Sequence, residues 1–139
     1  MTLSIQCLVI DTHDPDRLAS FWQAALGWRR TYDKPHEVVL EPPLGSPQDG
    51  VAPDLLFGLA EVEKSGKNRL HLDLRPTDRD AEVARLLELG ATHAGVGQTG
   101  EESWVVLADP DGNEFCVLRP FTDDELAQIA AEAEAKATS

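Results

Sequence analysis

At 139 residues and 42% hydrophobic content, the chain can bury one full core and leaves little room for a second domain. Its formal net charge of −13 excludes nucleic acid and anionic membrane as expected partners, because both would repel it. No apolar run approaches the roughly 18 residues of a spanning helix, and Met1-Thr2-Leu3-Ser4 lacks the basic and apolar regions of a signal peptide, so a cytoplasmic location is expected. Cys7 and Cys116 lie far apart in sequence and read most simply as buried thiols rather than a disulfide.

Residues 3–11 (LSIQCLVID) are apolar and rich in Ile and Val, which predicts a strand. Asp14-Pro15 then supplies an N-cap and the proline favoured at the first helical position, so a helix should run to Leu26 and stop at Gly27. Leu18, Phe21, Trp22, Ala25 and Leu26 recur at helical spacing, and Phe21 and Trp22 read as core packing. Residues 28–33 and 36–41 form two strand patterns joined by Lys34-Pro35. Residues 42–50 hold too many Pro and Gly for regular structure and predict a loop, either a lid or plain surface. Residues 54–59 give a fourth strand, and the charged stretch 61–67 is the best boundary between halves.

The second half opens on Asn68-Arg69-Leu70-His71-Leu72-Asp73-Leu74-Arg75, which alternates at period two. A strand there places Leu70, Leu72 and Leu74 on an apolar face, and His71, Asp73 and Arg75 on a face turned to water or to a pocket. Thr77 or Asp78 caps the next helix, which Gly90 ends. A strand over 91–96, a loop through Gly97 and Gly100, and a strand over 103–108 follow. The turn Asp109-Pro110-Asp111-Gly112 then joins a last strand over 114–118, since an Asp-Gly pair between apolar runs is a strong hairpin signal. Finally, Thr122-Asp123-Asp124-Glu125 has the pattern of a capping box, opening a weakly apolar helix to about Lys136.

The two halves repeat. Asp14 and Asp78 are 64 residues apart, as are Cys7 and His71, and Gly27 and Gly90 are 63 apart. Each half is strand, helix, then three strands, so the expected fold is α+β: two βαβββ modules forming a curved mixed sheet around a cleft, with helices on the convex side. The modules should cover about 3–60 and 68–120 within a domain of 1–121, with residues 122–139 as a C-terminal helical appendage.

The βαβββ repeat, Phe21-Trp22 with Leu26-Gly27, the strand Arg69-Leu70-His71-Leu72-Asp73-Leu74 and the turn Asp109-Pro110-Asp111-Gly112-Asn113-Glu114-Phe115 together resemble the vicinal oxygen chelate superfamily. More narrowly they resemble its bacterial glyoxalase-like proteins. The resemblance implies a cleft for a small molecule, and it leaves function open among isomerases, lyases, epimerases, dioxygenases and metal-free proteins that sequester antibiotics.

Matched to the family's metal-ligand positions, His71 falls on one, Cys7 on the second (Gln6 if the register slips), Cys116 on the third and Phe57 on or near the fourth. A set of two His and two Glu is absent, which argues against glyoxalase I chemistry. A divalent metal is therefore not favoured as cofactor; if one binds, His71, Cys7 and Cys116 would hold it. His71 is the residue suited to proton transfer, with Asp73 to orient it. Trp28, Trp104 and Phe57 would offer aromatic walls, Trp104 packing in the core equally well, and Glu114 shares a face with Cys116 nearer the turn. Two functions stay open: a lyase or isomerase acting on a small metabolite, and a metal-free sequestering protein without catalysis. The open edges of such sheets and the resemblance together imply a homodimer.

Overall fold

The computed structural model describes residues 3–95 and 102–138. The first module runs β1 (Cys7–Thr12), α1 (Pro15–Leu26), β2 (Arg29–Lys34), β3 (Glu37–Glu41) and β4 (Asp54–Leu59). The second runs β5 (Asp73–Leu74), α2 (Arg79–Leu89), β6 (Thr92–His93), β7 (Val105–Ala108) and β8 (Glu114–Val117), followed by α3 (Asp123–Ala137). Each module forms a four-stranded mixed sheet, in the orders β1-β4-β3-β2 and β5-β8-β7-β6. In each, the first and last strands pair in parallel and the other pairs are antiparallel. Among the described residues no strand pairing joins the sheets, so the curved surface is built in two halves.

Local chemistry places the helices where the sequence predicts them. Asp14 Oδ1 accepts from Arg17 N at 3.1 Å, Pro15 opens α1, and Gly27 closes it at φ 69°, a conformation costly for any residue with a Cβ. Asp78, rather than Thr77, caps α2 by accepting from Ala81 N at 3.1 Å. Phe21 and Trp22 pack edge-on at 5.2 Å, and Trp22 meets Phe115 of the other module at 4.9 Å. One core therefore spans both modules, with Leu18, Leu40, Phe57 and Leu107 fully buried within it. Arg85 of α2 ties the helices together, donating to Ala24 O at 3.1 Å and Ala25 O at 2.9 Å, carbonyls that the end of α1 would otherwise leave unpaired.

Several strands fall short of their sequence patterns: β6 keeps only Thr92–His93 and β7 only Val105–Ala108, and β1 and β5 start well inside their expected stretches. β1 begins at Cys7 because its parallel partner β4 is preceded by Pro53, which has no N–H; Asp54 N bonding Gln6 O at 3.1 Å is the last rung, and Leu3 and Ile5 are exposed. The leucine-alternating stretch contributes only Asp73–Leu74 as strand. Cys116 N still donates to Leu72 O at 2.9 Å, but residues 68–71 leave the ladder toward the turn before β8. Leu72 and Leu74 pack on the core as expected, whereas Leu70 is 84% exposed and covers nothing.

The 42–50 loop is tied back to β2, with Arg29 Nε donating to Pro42 O at 2.7 Å and Asp49 Oδ2 accepting from Gly45 N at 2.9 Å. Val96, Gly97 and Gly100, expected to end a strand and form a loop, lie outside the described residues. At α3 the capping box of Thr122 and Glu125 is complete, and the Arg119 guanidinium at 2.8 Å holds the Glu125 carboxyl down to about 2. α3 buries no side chain, and Leu126 and Ile129 stay exposed along it. No helix among the described residues is long and apolar enough to cross a membrane.

Candidate functional site: a cleft between the modules

A cleft of about 980 Å³ opens between the modules, bordered by β1, the connection 62–65, the stretch 68–72 and the turn leading into β8. Cys7 and His71, which hold equivalent places in the repeat, both border it, as does Glu114. Asp73 and Cys116 stand beside His71 without lining the cleft themselves. The aromatic walls expected from sequence lie elsewhere: Phe57 is fully buried in the core, Trp28 packs against that core, and Trp104 is exposed outside the cleft. Trp22 and Phe115 reach the cleft floor instead.

Strand register identifies which residues correspond between modules. Val9 pairs with Leu56 in the first sheet and Asp73 with Cys116 in the second, while Val9 and Asp73 are separated by the same 64 residues as Cys7 and His71. The first-module counterpart of His71, Asp73 and Cys116 is thus Cys7, Val9 and Leu56. The position assigned from sequence on or near Phe57 belongs to Leu56, one residue earlier, since adjacent strand residues face opposite sides. Neither side chain can bind a metal. The polar chemistry is concentrated in the second module.

There His71 Nδ1 lies 3.1 Å from Asp73 Oδ1. Nδ1 is thus within ion-pair distance of a carboxylate, and the ring borders the cleft. Burial pushes the Cys116 thiol up, and the charge of Asp73 and a hydrogen bond to it push further, so the thiol stays protonated at neutral pH. The ligand atoms of His71, Asp73 and Cys116 all lie within 4.8 Å of one another, a nitrogen, oxygen and sulfur set able to fit one zinc-like ion once the thiol gives up its proton. Cys7 is not part of that group, so the trio brought together takes Asp73 in place of Cys7.

The turn before β8 proves to be more than a hairpin connection. Asp109, almost fully buried, accepts from Trp22 Nε1 at 3.0 Å, from Asn113 N at 2.9 Å and from Asp111 N at 3.0 Å. Burial nevertheless pushes its carboxyl up against the pull of these donors. Thr12 Oγ1 donates to Asp111 Oδ2 at 2.5 Å, and Arg17 Nη2 donates to Pro110 O at 3.1 Å. Three contacts thereby lock the first module onto the turn of the second. Sequence offered only the general signal that buried indoles need an acceptor.

Glu114 serves the connection between modules. Its Oε1 accepts from Lys64 Nζ at 2.9 Å and its Oε2 from Asn68 N at 3.0 Å, fastening the charged connection to the start of β8. Burial pushes this carboxyl up, but Lys64 and Asn68 together outweigh it and leave it below its ordinary value of 4.5. A folded-state value below the unfolded one stabilises the fold above pH 4.5, and that contribution is lost as pH falls through the lowered value. Glu114→Gln is therefore expected to cost about 1 kcal/mol at pH 7, the pair still meeting some water. Urea denaturation should show this cost shrinking toward zero below the Glu114 titration; a cost independent of pH would mean the charge does not fasten the connection.

The fold and cleft together define a paired βαβββ protein of the kind that encloses small molecules. Residues 7–118 match the glyoxalase-like domain, and the chain belongs to that family, within the vicinal oxygen chelate superfamily. Solved structures agree on the fold. A glyoxalase/bleomycin resistance protein/dioxygenase family enzyme from Burkholderia phytofirmans PsJN is 20% identical, with a TM-score of 0.64 over 86% of this chain and 100% of that one. The fosfomycin resistance protein FosX of Listeria monocytogenes, solved with Mn(II) and a dihydroxypropylphosphonic acid, is 12% identical, with a TM-score of 0.65 over 93% of this chain and 99% of its own. A bleomycin-binding protein from Streptomyces verticillus, solved with copper(II)-bleomycin, is 16% identical, with a TM-score of 0.56 over 87% and 99%. No curated protein matches the chain significantly.

Proposed function

We infer that this protein binds a small organic metabolite in the cleft between its modules and that His71, oriented by Asp73, transfers a proton to or from it, as in a lyase or isomerase. One observation carries this: the cleft wall presents an imidazole whose Nδ1 lies 3.1 Å from a carboxylate, a pairing suited to orienting the ring for proton transfer. The size of the cleft, about 980 Å³, suits a drug-sized or smaller molecule. The same cleft without catalysis would be a sequestering protein, and turnover of a bound compound separates the two. A metal-assisted variant is favoured by the clustering of His71, Asp73 and Cys116, and metal analysis of untagged protein tests it.

The location of binding is tested by closing the cleft. Val9 borders it and is 59% exposed, so Val9→Arg can be made without opening the core. A metabolite-library screen by thermal shift should give compounds that stabilise the native chain and fail to stabilise Val9→Arg. Compounds that stabilise both equally would place binding elsewhere and defeat the proposal.

A further inference from the structure

The charges around the cleft select what can enter it. Among the described residues six carboxylates border it, those of Asp11, Asp14, Glu63, Asp109, Asp111 and Glu114, against two cationic side chains, Arg17 and Lys64. Neither cation is free: Lys64 is held by Glu114 at 2.9 Å and by Gly66 O, and Arg17 by Pro110 O at 3.1 Å and by Asp111 at 3.6 Å. Among the described residues that line the cleft, a carboxylate or phosphate ligand would find no uncommitted positive side chain, Lys67 near Cys116 standing outside that lining, in a chain whose net charge is already −13.

The carboxylates divide into those the fold consumes and those it leaves. Asp109, Asp111 and Glu114 accept from the protein's own donors. Asp14 caps α1. Asp11 is exposed and accepts no hydrogen bond among the described residues, and Glu63 is met only by His13 Nε2 at 3.0 Å, both side chains being well exposed. Asp11 stands on the same face of β1 as Val9, two residues away. A Cβ built on Gly58 of the neighbouring β4 would lie 4.0 Å from both Val9 Cγ1 and Asp11 Oδ1, so the two side chains flank a bare glycine. Val62 and Leu70 continue the exposed apolar surface of the cleft.

We propose that the cleft takes amphipathic organic cations, specifically primary or secondary amines whose apolar body lies along Val9 and Leu70 and whose ammonium donates to Asp11, with Glu63 contributing charge. This deepens the proposed small-molecule function and rests on it. The cation must carry N–H donors. Trp22 and Phe115 are 2% and 1% exposed and offer the cleft almost no ring face, so a quaternary ammonium gains no cation–π partner there and no hydrogen bond.

Four probes of equal length test this on the full chain by titration calorimetry: octylamine, octyltrimethylammonium, octanol and octanoate. Octylamine should bind about tenfold or more tighter than octanol, the effect of one charge-assisted hydrogen bond. Octyltrimethylammonium should fall between them, and octanoate should not bind. Asp11→Asn should bring octylamine close to octanol while leaving octanol unchanged, and added salt should weaken octylamine alone. Octanoate binding as tightly as octylamine, octylamine indifferent to Asp11→Asn, or no binding by octylamine would each overturn the proposal. If octanol and octanoate bind and Val9→Arg abolishes both, the cleft binds small molecules without choosing cations, and only the charge selection fails.

Discussion

Trp22→Ala is expected to destabilise the protein by about 3–5 kcal/mol, enough to unfold a domain of ordinary stability. Trp22 is 2% exposed and sits between Phe21 and Phe115, so its loss leaves a cavity where the two modules meet. It also strips the buried Asp109 of its indole donor. Trp22→Phe lessens the cavity effect, because it keeps one six-membered aromatic ring and removes the five-membered ring with its N–H, and the pH dependence of its cost then reports the lost donor. Its expected cost is about 1–3 kcal/mol at neutral pH. The sign of its pH dependence follows from Asp109, whose carboxyl burial already pushes above its ordinary value of 3.8. A raised folded-state value means the folded protein holds the proton more tightly than the unfolded chain, so the ionised carboxylate opposes folding as pH rises past 3.8 and through the raised value. Removing the indole donor enlarges that opposition. The Trp22→Phe cost should therefore diminish as pH falls through this window, read by denaturant unfolding at several pH values. A Trp22→Ala protein within about 1 kcal/mol of the parent would show that this contact does not hold the modules together.

Those contacts explain where sequence reasoning reached and where it stopped. Asp14-Pro15 and Gly27 bracket α1 because caps act on backbone groups within a few residues, and the Thr122–Glu125 box is legible for the same reason. The duplication, visible as a constant spacing between Asp14 and Asp78, also carried over to two sheets of identical strand order. The alternating leucines were less informative. Period two divides a strand into faces but does not say whether anything covers them, and beside an open cleft nothing covers Leu70. The choice between Leu56 and Phe57 turns on a register that only the pairing with Val9 supplies. Trp22 with Asp109, Thr12 with Asp111 and Lys64 with Glu114 join residues far apart in the chain, each of which alone has an ordinary reading as core, turn or charged surface.

His71→Asn should abolish turnover of the true ligand, or lower it by the roughly 10²–10⁴-fold that general acid–base catalysis contributes, while changing stability by less than about 1 kcal/mol. The imidazole borders the cleft with its side chain 37% exposed, so replacing it opens no hole in the core. Among the described residues its one charged partner is Asp73, itself half exposed, and asparagine can still donate to that carboxylate. On the proposed function Asp73 acts by positioning. At 3.1 Å from Nδ1, it would favour the proton on that nitrogen and leave Nε2 able to accept one from a ligand. Asp73→Asn should shift the imidazole toward the other tautomer, which nitrogen-detected NMR of the His71 ring reads directly, and should lower turnover more than ligand affinity. A histidine serving only the fold would behave in the opposite way: His71→Asn would lower the melting temperature and leave every ligand bound as before. Marked destabilisation of His71→Asn with unchanged affinity and turnover would end the case for proton transfer in this cleft, and retention of the Nδ1–H tautomer in Asp73→Asn would remove Asp73 from it.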